Sequence, residues 1–315
     1  MSLNCGAQGA FAALAVDDVG ATFGASSERY EFIAENTALR ERIVKGVGVT
    51  GDLDLIGSHL RPGAGFVYGQ LLMNVTPKEL DAWLPRILGG TETANVHSPG
   101  NALPAFDMLI KRDTATYRYN ECMIASATFS AETSVGGDED DEPSLVKMML
   151  TIMGKDEVQG TWAEAIPDVD EEHKLYWIAA DSDLTLMGTA YPFDSFRLVI
   201  NNMLKPHIRN SLRPVCIQSQ GRVVNFAPVI PKSATAVTNL YWTRPNGAGS
   251  LAFAGSKYIA NSEYVTTFTM AKLFGEKVTP AVRGRTEIPL PLNLTAYKPS
   301  GGHSITITND FPSHV

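Results

Sequence analysis

Apolar and polar residues alternate along much of this chain, and the alternation predicts strands. Residues 47–56 place Val49, Leu53 and Leu55 on one side of an extended segment. Residues 66–75, 105–111, 116–131 and 146–153 are further runs rich in β-branched, aromatic or alternating positions. The second half repeats the theme at 196–200, 222–230, 251–253, 264–270, 286–296 and 303–308. Turns are supplied by Gly136-Gly137, by Gly301-Gly302 and by Pro245-Asn246-Gly247.

One segment breaks this period. Thr76-Pro77-Lys78-Glu79 joins an N-cap threonine to a first-turn proline and a capping-box glutamate. Leu80, Trp83, Leu84, Ile87 and Leu88 then recur at helical spacing, and Gly89-Gly90 closes the run as a C-cap. The predicted helix has one apolar face, Leu80, Trp83, Leu84 and Ile87, which packs on a sheet or on another subunit. The second half echoes the plan. Residues 221–230 lead to Pro231-Lys232-Ser233, then to an expected helix through Val237, Leu240 and Tyr241, then to Asn246-Gly247 and strands again. The expected fold is mainly β, with sandwich or barrel units each flanked by a helix, present as two tandem repeats.

At 315 residues the chain has room for two domains on a prior of roughly 150 residues each. Its 44% hydrophobic and 19% charged residues place it in the globular range, and its net charge of −8 disfavours gripping nucleic-acid phosphate. A surface past which DNA slides without sticking is compatible with that charge. Cys5, Cys122 and Cys216 are far apart and show no ligand spacing, so reduced, non-ligating thiols are expected. No apolar run approaches about 18 residues, so no membrane helix is expected. The small-residue stretch 6–16 lacks a basic flank and is followed by Asp17-Asp18. It is expected to be an arm that orders only on assembly, or not at all.

Candidate chemistry is sparse. The chain has no GxGxxG opening a helix, no GxxxxGK[ST], no GxSxG and no HExxH. Its six histidines are scattered, which favours surface or satisfied core positions over ligands or bases. The sharpest local feature is the acidic run Asp138, Glu139, Asp140, Asp141 and Glu142. It lacks the spacing of a calcium loop. It reads as a solvated loop joining two strands, or as a negative surface facing passing DNA, where like charge prevents adhesion. No catalytic residue, cofactor site or metal site is expected, and the chain reads as a non-enzyme. A β-sandwich hydrolase is the less favoured alternative.

Several stretches together resemble a phage tail tube protein family. They begin with Glu35-Asn36-Thr37-Ala38-Leu39-Arg40-Glu41-Arg42, Val49-Thr50-Gly51-Asp52-Leu53, and the segment from Thr76 through Leu84-Pro85-Arg86-Ile87-Leu88-Gly89-Gly90. They continue with Leu103-Pro104-Ala105-Phe106, Tyr119-Asn120-Glu121-Cys122 and Met153-Gly154-Lys155-Asp156. In the second half, Ile200-Asn201-Asn202-Met203-Leu204, Val282-Arg283-Gly284-Arg285-Thr286-Glu287-Ile288 and Ile305-Thr306-Ile307-Thr308-Asn309-Asp310 carry the likeness. The resemblance implies tube-like domains at 28–155 and 191–315, while the N-terminal arm at 1–27 and the connecting segment at 156–190 depart from the family's pattern. It implies a virion protein, made in the host cytoplasm, that assembles with itself into stacked rings. Trimeric rings with pseudo-sixfold symmetry are expected, with hexameric rings as the alternative. Tape-measure, terminator and baseplate proteins would be its other partners, and DNA would pass through the lumen without specific binding. A terminator or baseplate ring component of the same fold is the alternative reading. Replacing Leu84 with Asp is predicted to abolish soluble folding or assembly, and recovery of normal tubes from that variant would count against the helix placement.

Overall fold

The computed structural model describes residues 9–13, 28–45, 60–113, 115–132, 145–160, 176–231, 246–254, 264–275 and 289–310. The first half opens with β1 (Gly9–Ala13), β2 (Glu28–Tyr30), β3 (Ala34–Glu35), β4 (Ala38–Lys45) and β5 (Leu60–Asn74). Helix α1 (Pro77–Leu88) follows, then β6 (Val96–His97), β7 (Phe106–Arg112), β8 (Ala115–Glu132), β9 (Lys147–Gly154) and β10 (Asp156–Gly160). After a 3-10 turn at Ala179–Asp181 come β11 (Ser182–Leu186), β12 (Thr189–Tyr191), β13 (Ser195–Asn201), β14 (Leu204–His207) and β15 (Cys216–Ser219). The chain continues through β16 (Val223–Pro231), β17 (Asn246–Ala254), β18 (Val265–Gly275), β19 (Pro289–Pro291), β20 (Leu294–Ala296) and β21 (Thr306–Asn309). The fold is mainly β. Among the described residues α1 is the one α-helix. The expected helix through Val237, Leu240 and Tyr241 and the expected strand at 47–56 lie outside the described residues.

All pairings between these strands are antiparallel. The main run is β4, β5, β9, β8, β13 and β16. It continues through β19 and β20 to β18, β17, β11 and β12. The β8–β13 ladder, from Ser126↔Asn201 to Glu132↔Ser195, joins the two halves of the chain within one sheet. Inward positions alternate as the period requires: Val67, Leu71 and Met73 on β5, Phe196, Leu198 and Ile200 on β13, Val224, Phe226 and Ile230 on β16. The layers meet through aromatic rings. Phe129 lies 5.1 Å from Phe268, Phe253 lies 5.6 Å from Phe196, and Trp177 stacks on Phe253 at 5.3 Å.

Strand β8 belongs to two sheets. Its first half pairs with β7 and β10, and its second half with β9 and β13. Between them Glu121 adopts φ +46°, a left-handed backbone that a side chain rarely tolerates, and both flanking ladders shift register. The fully buried Asp107 holds this bend. Its Oδ1 accepts the Glu121 N–H at 2.8 Å, and its Oδ2 accepts Arg118 Nη2 at 2.8 Å. The peripheral sheet so formed runs β2, β1, β7, β8 and β10.

Two expectations meet this arrangement differently. The stretch read as an unordered arm instead places Gly9–Ala13 between β2 and β7, with every residue of β1 opposite one of β7. An unpaired β7 edge offers a full row of backbone donors and acceptors, and small residues can dock there within one chain. The segment read as a long connection is partly built into the sheets. β10 closes on β8, Trp177 is fully buried, and β11–β12 extends the layer beyond β17. Trp162 and the acidic residues 168–172 lie outside the described residues.

Helix α1 packs against β8, β6 and β21. Thr76 Oγ1 accepts the Glu79 N–H at 3.2 Å, and the Gly89 N–H (φ +71°) donates to the Pro85 carbonyl at 2.7 Å. A Cβ on Gly89 would fall 2.1 Å from the Ala102 carbonyl oxygen, so this glycine serves close approach as well as the left-handed cap. Leu80, Trp83, Leu84 and Ile87 are fully buried, with Trp83 between Tyr30 (4.9 Å) and Phe106 (5.7 Å).

Removing the Asp107 carboxylate takes the acceptor from the Glu121 amide and the carboxylate partner from Arg118. Asp107→Ala is expected to cost about 3–5 kcal/mol in urea unfolding. A loss below about 1 kcal/mol would contradict the role given to the bend.

Candidate functional site

The site candidates are surfaces. β5 leaves the shelter of β9 at Val67, and among the described strands its first residues pair only with β4. The two strands form a ribbon in which Ile43 is 66% exposed, Val44 57% and Leu60 44%. A bulge between Glu41 and Ile43 interrupts its register. The register puts Ile43 and Leu60 on one face of this uncovered ribbon and Val44 on the other, so each face carries exposed apolar surface of the kind proteins cover by association.

A second exposed element lies at the ribbon's base. β14 and β15 form their own two-stranded sheet, and the excursion between them exposes Leu212 and Val215. The Gly65 N–H donates to the Leu212 carbonyl at 3.0 Å. Arg213 spans Glu41 and Asp156, each at 2.6 Å. Partial burial works against this cation, but the hydrogen bonds and charges of Asp156 and Glu41 outweigh it and raise its pKa. Deeper in, Arg112 grips both Glu35 oxygens and the Thr37 carbonyl, and the Tyr119 hydroxyl donates to the same carbonyl at 2.9 Å. This network fastens the β3–β4 corner to β7 and β8, so the ribbon projects from a fixed base.

The third surface is the outer face of the main sheet. Register aligns Gln70, Thr151, Ser126, Asn201 and Val223 in one row across β5, β9, β8, β13 and β16. The next row holds Leu72, Met149, Thr128, Val199 and Asn225, and the one after it Asn74, Lys147, Ser130, Arg197 and Ala227. Most of these side chains are small or uncharged. Of the fifteen, Lys147 and Arg197 bear charge, and both are cations. The expected net-negative surface is therefore not found in these rows. The acidic run Asp138, Glu139, Asp140, Asp141 and Glu142 falls between β8 and β9 in sequence and lies outside the described residues.

Asp81, Glu92 and His97 each offer a ligand atom within 4.8 Å of the others, a cluster that spacing in the sequence does not reveal. His97 is almost wholly buried, with Nε2 3.0 Å from Asp81 Oδ1 and no partner at Nδ1. The Nε2–Asp81 hydrogen bond ties β6 to α1 and leaves Nδ1 as a buried ring nitrogen without a partner, with or without an ion. Asn309 completes the tie by donating to Asp81 Oδ1 at 3.2 Å and to the Pro77 carbonyl at 3.1 Å.

Among the described residues these features define a mainly β protein with an apolar ribbon, an apolar excursion and a mostly uncharged sheet face of mixed polar and apolar residues. The family model for phage tail tube proteins matches residues 43–296, most of the chain, and the chain belongs to that family. It is thus a structural tail tube protein and a virion component, of a family that is structural and not enzymatic. No curated protein matches the sequence at a significant level.

Cys122 lies inside the β8 bend, where burial, then the charges of Asp107 and Glu121, push its thiol pKa well up. Little thiolate is available at neutral pH. Native alkylation monitored by peptide mass spectrometry is expected to modify the half-buried Cys216 at least about tenfold faster than Cys122. Equal rates would contradict the packing of the bend.

Proposed function

We propose that this protein assembles with itself into stacked rings that form the tube of a phage tail, through which DNA passes. The observation that carries the reading is the β4–β5 ribbon, with Ile43, Val44 and Leu60 exposed on a rigid base. In a ring stack such a ribbon lies against a neighbouring copy and buries those side chains, turning an aggregation hazard into a specific contact. The face bearing Ser126, Thr128, Ser130, Val199 and Asn225 lines the lumen in this proposal. The face is mostly neutral, with Lys147 and Arg197 its two cations, so DNA meets few charges to hold it and passage meets little friction. The acidic run 138–142 then supplies the negative charge, at the lumen or between rings.

Two tube-like units per chain, at 28–155 and 191–315, make trimeric rings with pseudo-sixfold symmetry the favoured assembly, with hexameric rings as the alternative. Both halves contribute strands to one continuous sheet through β8 and β13, as such a ring wall requires. Tape-measure, terminator and baseplate proteins are its proposed neighbours in the virion.

The test is the double variant Ile43→Lys/Val44→Lys. Both positions are exposed, so its stability in urea should stay within about 0.5 kcal/mol of the wild type. Sedimentation is expected to find it unassembled at concentrations where the wild type pellets as tubes. Tubes formed at wild-type yield would contradict the ribbon's role.

A further inference from the structure

A cleft of about 530 Å³ lies between the 99–103 loop, residues 219–223 and the end of β20, and none of its lining residues is a carboxylate. Arg222, Lys298 and His303 line it together.

Arg222 is the centre of the arrangement. Its Nε donates to Asn202 Oδ1 at 2.7 Å, and its Nη2 donates to the Leu88 carbonyl at 2.8 Å. Leu88 ends α1, so the guanidinium sits at the negative end of the helix dipole. Asn202 is itself fully buried and held in place by its own donations to the Ile87 carbonyl (2.9 Å) and the Ile124 carbonyl (3.0 Å). The guanidinium is therefore fixed in position. Two of its five N–H groups are used, and the others meet no protein acceptor among the described residues.

Electrostatics points the same way. Burial lowers the Arg222 pKa, and no neighbouring acid raises it. A desolvated cation with open donors gains most from an anionic partner. The lining is also suited to a protein partner. Val223 and Tyr297, both in the lining, are 36% and 50% exposed, and the adjacent Met203 is 47% exposed. Tyr, Met and Arg are residues enriched where proteins meet.

We propose that this cleft is an oxyanion site, and that in the assembled tube a side-chain carboxylate of a second copy of this chain fills it. The second clause rests on the tube reading. The site itself does not. Arg222 makes the fixed contact, and Lys298 and His303 supply field and further donors at the mouth.

Tripolyphosphate is the probe for the site, titrated by calorimetry into full-length protein kept dilute and unassembled at low salt. The wild type is expected to bind it. Lys298→Glu, an exposed change that leaves the fold intact, is expected to weaken binding about tenfold. Arg222→Gln is expected to abolish it. No heat from the wild type at about 10 mM probe would overturn the oxyanion site, whether or not rings form. Sedimentation of Lys298→Glu then tests the occupant. Weakened assembly at moderate salt supports a carboxylate of a second copy. Lost probe binding with normal assembly would overturn that occupant and assign the site to a free phosphate-type anion. A wild type that binds the probe but never assembles would overturn the tube reading and leave the site standing.

Discussion

The bend in β8 sets how the two described sheets meet. One strand of eighteen residues serves two sheets, and it changes sheets where Glu121 takes a left-handed backbone held by the buried Asp107 carboxylate. Such a bend stores backbone strain, which persists only where the surroundings over-determine it. Here they do, because Asp107 accepts from the Glu121 amide and from Arg118 together. Before the bend, β8 organises the peripheral sheet that receives β1. After it, β8 carries β13 and joins the two halves of the chain.

From that fixed centre the rest divides into covered and uncovered surface. The apolar face of α1, the inward faces of the sheets and the aromatic cluster around Phe253 are fully enclosed within one chain. The β4–β5 ribbon is not. Its base is bound by the Arg112–Glu35–Thr37 network and by Arg213, while Ile43 and Val44 remain open. A rigid base under an open apolar ribbon lowers the ordering cost of association, because little of the chain must be fixed when a neighbour arrives.

Much of this was legible in the sequence. Alternation located the strands because sheets with one buried face impose a period of two, and β5, β13 and β16 keep it faithfully. Helix α1 was legible from end to end, since Thr76-Pro77 and Gly89-Gly90 encode its caps locally. What was hidden depends on distant residues meeting. Nothing in the composition of 9–13 says that β7 has a free edge for it, and the stretch reads as an arm. Arg213 meeting Glu41 and Asp156, His97 meeting Asp81, and Arg222 reaching the end of α1 are likewise products of topology, which spacing along the chain does not record. The family resemblance was legible because its motifs fall on structural necessities. Leu88-Gly89-Gly90 is a helix end packed against 98–102, and Tyr119-Asn120-Glu121-Cys122 is the bend itself.

The central claim is that this fold builds a tube, and cryo-electron microscopy of the purified, concentrated protein tests it most directly. The account predicts hollow stacked rings in which the β4–β5 ribbon contacts a neighbouring copy and the face bearing Ser126, Thr128 and Ser130 lines the lumen. Protein that stays monomeric at high concentration, or tubes whose ribbons point freely into solvent, would contradict it.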